Sequence, residues 1–583
     1  MTRTPYDPIT FELIKNTFGS IVDEMALIIV RTAYSGVVKD VMDFSTALCD
    51  AEGRMIAQGL TIPLHLGSIP DAMVAVLAKY GRDVQPGDVY VLNDPFEGGM
   101  HLPDIFVMKP MFLEGRLVGF AATVVHHTDV GGRVAGSNAS DSTEIYAEGL
   151  RMPPLRLYER GRPNDTLFSI IEKNVRVPVK VLGDFRAQLS ACHVAEGRYV
   201  ALLERYGVET VERYTAELYA YSERMTRAEI GALPDGEYSF EDSIDGDGLD
   251  DTPIPLRVKV TVAGDELTCD FTGSSPQVRG ALNATMSFTK AAVYGTIKYI
   301  LGADIPNNAG FFRPIHVIAP PGTILNAVLP AACAARGLTG LRTADLMFGV
   351  LAQIVPARAM AASEGGPTGV SIGGYHADRT PFVFVEFISS GWGGRSHKDG
   401  IDGITTPISN NSNTPAEVCE AEYPIAIDCY EFAPDSGGPG RFRGCLGLQR
   451  AYRLLEEEAT LQVRADRQVS RPFGLFGGRP GAPSQNVLYR DGKVSTLPAK
   501  FTMTMKRGDV LHHVQPGGGG FGDPLERDPA RVLDDVRNEK ISVEAARRDY
   551  GVAVDTSTWT VDRAATARLR TKVGSAAVEV PAD

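Results

Sequence analysis

The sequence predicts a mixed α and β protein built as several lobes. Three observations lead there. The chain runs to 583 residues, more than one ordinary core accommodates. Its apolar residues change period along the chain, from helical spacing near the N-terminus to alternation past residue 230. Hydrophobic residues make up 44% and charged residues 22%, so a large core can form without covalent staples.

Taken in order, the first element is a helix. Asp7 can cap it and Pro8 suits its first turn, and Phe11, Ile14, Phe18, Ile21, Met25, Ile28 and Ile29 then recur on one face. STALCDAEGRMIAQG reads as a hairpin with acidic and glycine residues at its turn. A helix follows from about Ile69 to Tyr80. GDVYVLNDPFEGG is a buried strand running into a glycine-rich loop, and LVGFAATVVHHTDVGG repeats that pattern. Two strand-to-loop junctions of this kind resemble the ligand-gathering strand ends of parallel sheets. Gly149 to Pro154 is a proline-broken loop, and a helical stretch then continues to about Ile230. Beyond it IPLRVKVTVAGDELTCDFTGSS is a β-hairpin, apolar helices cover roughly 284–302 and 338–356, and 367–470 mixes glycine, asparagine and short strands. The end is a helical tail. The expected division is an N-terminal α/β lobe (1–230), a central β-rich and helical lobe with Gly/Asn-rich loops (231–430), and a C-terminal β lobe with the tail (431–583).

A net charge of −14 argues against nucleic acid as a partner, because phosphate binding needs clustered Lys and Arg. The seven cysteines are scattered, odd in number and without a CxxC pair, which fits a reducing cytoplasm rather than a disulfide framework or structural zinc knot. The start MTRTPYDPITFEL has no basic region with an apolar run behind it, so no signal peptide is expected. No apolar stretch is long enough to span a bilayer, and no membrane association is expected.

The densest group of chemically capable residues lies in the first quarter. It holds Asp40 and Asp43 in VKDVMDFS, Asp94 in LNDPFEGG, His101 and Asp104 in HLPD, and His126, His127 and Asp129 in HHTDVGG. Imidazole with carboxylate is a ligand set for Zn, Mn or Fe. His101 and Asp104 can face one way from a single loop, and a histidine at the end of the next strand closes the site. Neighbouring strand residues point to opposite faces, so one of His126 and His127 binds and the other supports it or joins the core. An open metal site would polarise a carbonyl or activate water, with Asp104 or Asp129 as general base. Asp104, Asp129 and His127 are thus the catalytic candidates. The same motifs also have a bland reading, in which His-x-x-Asp stabilises a turn and a histidine pair after a strand is buried and hydrogen-bonded.

Other motifs are less specific. GWGGRSHKDG offers Arg395, His397, Lys398 and Asp399 to an anionic group, or is a tight loop. NNSNTPAEVCE presents amides to a ligand or to its own backbone. QPGGGGFGDP lacks the strand–loop–helix context of a phosphate cradle and reads better as a structural turn. Cys333 has Arg336 near it but no histidine, which favours a buried structural thiol. No GxxxxGK[ST] occurs, so the chain shows no Walker site.

Several stretches together resemble the hydantoinase B / oxoprolinase family. They are DPITFELIKNTFGSIVDEMALIIVRTAYS, DFSTALCDAEGRMIAQG, GDVYVLNDPFEGGMHLPD, GWGGRSHKDG, NSNTPAEVCEAEYP and PGGGGFGDPLERDP, followed by YGV. They run from residue 7 to about 552 in a specific order and spacing. The resemblance implies a hydantoinase B-like fold and an enzyme that uses ATP to hydrolyse or carboxylate a carbonyl compound. It implies a separate A-type subunit that binds ATP with Mg and phosphorylates the carbonyl or enol oxygen of a small-molecule substrate. The B-type chain would hold a divalent metal and finish the reaction. The family's metal region corresponds to His101, Asp104, His126 and an acidic residue before DFS. This sequence has KDVMDFS where relatives often carry Glu and basic residues, which leaves the fourth ligand open between Asp40 and Asp43. The expected reaction is hydrolytic opening of a cyclic amide of hydantoin, oxoproline or lactam type. The rivals are an acetone/acetophenone carboxylase-type subunit, which would depend on bicarbonate, and a non-catalytic assembly subunit, which would bind no metal.

Overall fold

A computed structural model of the chain describes residues 7–65, 67–81, 83–302 and 304–576. The first six residues, part of the stretch read as lacking a signal peptide, lie outside them. The first helix spans Pro8–Thr32, with the Asp7 side chain accepting from Ile9 N and Thr10 N. Its buried face is Phe11, Ile14, Phe18, Ile21, Val22, Met25 and Ile29. Each such side chain contributes about 1.5–3 kcal/mol by leaving water.

That face lies on a seven-stranded sheet. Its strands are β1 (Phe44–Cys49), β2 (Met55–Gln58), β3 (Val89–Leu92), β4 (Asp104–Leu113), β5 (Arg116–His126), β6 (Leu155–Glu159) and β7 (Arg162–Pro163), in the order β2-β1-β5-β4-β3-β6-β7. Every pairing is antiparallel, so the analogy with parallel sheets does not hold. The junctions still meet, for a different reason. β3 and β5 both run opposite to β4, and β1 runs opposite to β5. The C-terminal ends of β3 and β5 therefore share one sheet edge with the N-terminal ends of β4 and β1.

Both faces of this sheet are covered, which is why its strands read as apolar runs rather than alternation. Phe44, Leu48, Val107 and Val125 pack toward the helices Pro8–Thr32 and Pro178–Tyr206. Ala47, Phe106, Ala122 and Val124 pack toward the helices Ser68–Tyr80 and Met286–Leu301. The long helical stretch divides into Asp165–Asn174, Pro178–Tyr206 and Val208–Ile230. Pro178 opens the second helix, and Gly207, at φ 81°, separates the last two.

After residue 230 come β8 (Gly236–Ile244), β9 (Ile254–Ala263), β10 (Glu266–Asp270) and β11 (Ile315–Ile318), which form a four-stranded sheet. The helices Met286–Leu301 and Arg336–Ile354 pack against it. A third sheet joins β12 (Thr368–Tyr375) and β13 (Pro381–Ile388) to β16 (Glu458–Arg464) and β19 (Lys500–Lys506). A fourth combines β14 (Ile425–Ala433), β15 (Gly447–Leu454), β17 (Gln485–Arg490), β18 (Lys493–Leu497) and β20 (Val510–Val514). The tail carries the helices Pro529–Arg537, Val543–Tyr550 and Arg563–Ala576. Among the described residues no helix is long and apolar enough to cross a membrane.

Candidate metal centre

The sheet edge described above brings three side chains to one point. Asp104 opens β4 directly opposite His126, the last residue of β5. His101 sits in the turn before β4, held by Asp104 N donating to its carbonyl. His101 Nε2 lies 3.1 Å from His126 Nδ1, and both nitrogens approach Asp104 Oδ1, at 3.1 and 3.2 Å. Ligands about 2.0–2.2 Å from a common ion sit roughly 3 Å apart, so the triangle has the dimensions of a metal's donor face. Two histidines and one carboxylate form the facial donor set used by open divalent sites.

The surroundings prepare these atoms as ligands. His101 Nδ1 is 3.1 Å from the Ala334 carbonyl, where only its N–H is acceptable, which leaves the Nε2 lone pair facing the triangle. Burial, with the Arg336 charge, pushes the His101 pKa down to about 3, so the ring is neutral at physiological pH. Against the upward push of burial, the Arg336 charge beside it holds the Asp104 carboxyl well below its usual range. Arg336 Nη2 donates to Asp104 Oδ2, and its guanidinium lies 3.8 Å from the centre of the Phe288 ring. Glu148 secures the Ala334 loop by accepting from Cys333 N and Ala334 N, each at 2.8 Å.

His101 and His126 of the triad line a cavity of about 70 Å³. One wall is apolar, from Ile62, Leu64, Phe288, Leu338, Leu341 and Phe387. The polar side includes Asp43, His65, Arg336, Ser409, Asn411 and Arg464. A mostly apolar wall with a few convergent polar groups is the build of a small-molecule site.

Asp43 and Asp40, the two acidic candidates from one segment, are separated. Asp43 precedes β1, its carbonyl accepts from His126 N, and its side chain lines the cavity. Burial pushes its carboxyl up to about 6, with His126 pulling it down and the Asp104 charge raising it. Asp40 ends the short helix Gly36–Lys39 and does not line the cavity; its charged neighbours are Lys39, Glu422 and Lys180.

His127 and Asp129 leave the cavity. Strand alternation turns His127 to the other face, where Nε2 is 3.1 Å from Gln188 Oε1 and the ring packs on Phe185. Asp129 pairs with Arg176 at 2.9 Å and accepts from the backbone of Arg176 and Gly136, so it ties a loop together and is not free to act as a base. Asp94 caps the turn Pro95–Glu97 and pairs with Arg151 at 2.8 Å. Asp399 is taken by Arg527 and Arg531, Arg395 Nη2 donates to the Asp399 carbonyl, and His397 and Lys398 are exposed, so GWGGRSHKDG is a loop that lies apart from the metal triad. The thiol of Cys333 is buried and pushed far up by that burial, which makes it structural.

Sequence reasoning missed Arg336 as the partner of Asp104, His65, Asn138 and Arg464. His65 Nδ1 lies 2.8 Å from Ser45 Oγ, and burial pushes that ring down to about 4. Asn138 Nδ2 lies 3.4 Å from His126 Nε2. Of these, Arg464 had a readable signal. In LQVR, Gln462 and Arg464 share one side of a strand, and polar residues on a buried face call for a partner.

Comparisons with known proteins give the family and the fold. A family model described as Hydantoinase B/oxoprolinase matches residues 7–524. The caprolactamase subunit beta of Pseudomonas jessenii is 34% identical over 583 residues, covering 96% of this chain and 98% of its own. The crystal structure of the ATP-dependent caprolactamase from Pseudomonas jessenii matches with a TM-score of 0.91 at 31% identity, covering 97% of this chain and 100% of that one. A nucleotide-free acetone carboxylase matches with a TM-score of 0.94 at 19% identity, covering 99% of this chain and 84% of that one. At that identity the second likeness is one of fold.

Proposed function

This chain belongs to the hydantoinase B/oxoprolinase family, and from that premise we propose that it is the metal-binding, ring-opening subunit of an ATP-dependent cyclic amide hydrolase. The observation that carries the reading is the convergence of His101 Nε2, Asp104 Oδ1 and His126 Nδ1 at the end of a partly apolar cavity. A divalent ion such as Zn, Mn or Fe held by these atoms would supply Lewis-acid polarisation of a carbonyl and a nucleophilic water at neutral pH.

The chain's own residues do the rest. The apolar wall receives the carbon skeleton of the ring and keeps bulk water away. Arg336 compensates the Asp104 charge and keeps that carboxylate ionised. Asp43 takes the proton of the attacking water, a role that spacing alone had given to Asp104 or Asp129. Its raised pKa makes it a stronger proton acceptor than an exposed aspartate. Activation of the amide oxygen by ATP falls to a second, A-type subunit, in keeping with the subunit naming of the caprolactamase relative and the lack of a Walker motif here. All seven cysteines are free, which supports a reducing, cytoplasmic setting.

The test is elemental analysis of the wild-type chain beside His101→Ala, followed by coupled turnover with the ATP-binding partner on lactams and hydantoins. Near-stoichiometric metal that disappears with His101→Ala, together with loss of ring opening, is the expected result. Equal metal in both proteins, or intact ring opening in the variant, would sink the reading. One second reading is carboxylation, the activity in the name of a protein that shares this fold, and dependence of ATP turnover on bicarbonate separates the two.

A further inference from the structure

The cavity wall contains four buried side-chain atoms with no partner among the described residues. They are Nε and Nη2 of Arg464, Nε of Arg336 and Nδ2 of Asn411. All four are hydrogen-bond donors. The orientation of the Asn411 amide is set by Ser409 Oγ, which donates to its Oδ1 and turns Nδ2 toward the cavity and the Asp43 carboxyl, whose acidity it increases.

Arg464 is the strongest member of the group. It ends β16, is 6% exposed and forms no ion pair among the described residues. Other buried arginines of this chain have carboxylate partners: Arg342 has Asp466, Arg467 has Asp242 and Asp345, and Arg450 has Glu386. An unpaired guanidinium in the interior is expensive to keep. Burial, with the Arg336 charge beside it, pushes Arg464 down to about 9. The chain nonetheless makes room for it. Gly369 lies opposite Arg464 on β12, and a Cβ there would run into the guanidinium. Phe387 carries the Arg464 guanidinium 5.4 Å from its ring centre and meets the His126 ring edge-on, also at 5.4 Å. The free donors and the metal triad therefore share one aromatic support.

Several donors without acceptors, two of them on one planar fork, complement an anion with two or more oxygens. Asp104 cannot serve as that anion, because Arg336 already pairs with it, and Asp43, whose charge raises Arg464, forms no ion pair with Arg464 among the described residues. We infer that Arg464, with Arg336 Nε and the Asn411 amide, forms an oxyanion subsite that receives a phosphoryl or carboxylate group of the substrate. The subsite deepens the ring-opening reading, on which its link to a substrate rests: it fixes the charged end while the triad faces the reacting carbon.

The experiment is calorimetric titration of the full, metal-loaded chain with inorganic phosphate and, separately, with bicarbonate. Wild type, Arg464→Met and Arg464→Lys are compared. Arg464→Met is expected to weaken the preferred anion at least about tenfold, as for loss of a charge-assisted pair, and Arg464→Lys to recover part of it. Without anion, Arg464→Met is expected to melt at or above the wild-type temperature, because an unpaired buried charge has gone. Preference for phosphate identifies a phosphoryl subsite and preference for bicarbonate a carboxylate subsite. Should Arg464→Met fail to fold, Asn411→Ala carries the test, with an expected loss of about threefold for one neutral donor. No anion binding by wild type, or equal binding by wild type and the variants that fold, overturns the inference. The titration needs neither ATP nor the partner, so a failed ring-opening assay leaves its result standing.

Discussion

The metal cavity and the glycine bundle in the C-terminal half are built from similar material and end differently. Both combine glycines with charged residues in loops. Around the cavity, donors of Arg464, Arg336 and Asn411 stay without partners. In the bundle, extended segments near residues 391–394, 437–445, 474–481 and 517–521 lie against one another and exchange backbone bonds. Gly394 N donates to Gly519 O at 2.8 Å, Gly438 N to Gly518 O at 2.8 Å, and Gly520 N to Arg479 O at 2.9 Å. The bundle's arginines differ from Arg464 in having carboxylate partners, as in the Asp399–Arg527 and Asp402–Arg443 pairs. Glycine near polar residues announces that something approaches the backbone. Whether that is a ligand or the chain itself is decided by counting partners.

The largest expected effect breaks the bundle. A Cβ on Gly444 would collide with the backbone of Gly518, which is packed and has nowhere to go. Gly444→Ala should lose about 3 kcal/mol or more, the upper end for overpacking a dense interior. Chemical unfolding measures that loss, and metal content per folded molecule should stay at the wild-type level. A metal-free but stable Gly444→Ala protein would show that the two regions are not independent.

A smaller effect sharpens the contrast at Glu364, a buried carboxyl between the two regions. It accepts from Ser390 N, Ser390 Oγ and Gln515 Nε2, while Gln515 also donates to Gly366 O. Burial pushes Glu364 from 4.5 up to about 8. Its folded form holds a proton that the unfolded chain releases, so its contribution is full below pH 4.5 and declines as pH rises toward 8. Glu364→Gln keeps the accepting oxygen and removes the titration. Melting temperatures from pH 5 to 8 should fall less steeply in the variant, and parallel curves would show that Glu364 does not titrate in this window.

How much of this was legible follows from the range of the interactions. His101, Asp104 and His126 were readable because turn spacing and strand alternation are local, and alternation also left His127 for the core. Asp43 and Asp40 differ by three residues in one short segment, and only the pairing of β1 with β5 separates them. Arg336 reaches Asp104 across 232 residues and Arg464 enters from another sheet, distances over which no periodicity carries information. Asp129 misled for the converse reason: its position after the strand looked catalytic, and its partner Arg176 is invisible until the helices fold back. Antiparallel pairing was equally hidden, although the ends of β3 and β5 met as the paired motifs suggested.

The smallest expected effect tests the separation of the two aspartates. Asp40 sits at the end of the Gly36–Lys39 helix, half-buried, with its backbone N–H donating to Gly36 O. Burial raises its carboxyl, while Lys39 and Lys180 lower it and Glu422 raises it further. Asp40→Asn keeps the backbone bond and removes one charge from a balanced group of four. Its stability should stay within about 0.5 kcal/mol of wild type, as for substitutions away from any packed or paired feature. Metal content, measured beside His101→Ala as the metal-free reference, should equal that of wild type. If Asp40→Asn also lost the metal, the segment before β1 would have to unwind on metal loading and bring Asp40 to the triad. The hydrogen bond from His126 N to the Asp43 carbonyl, 3.0 Å long, argues against that, because unwinding would free a buried donor next to the ligand it positions.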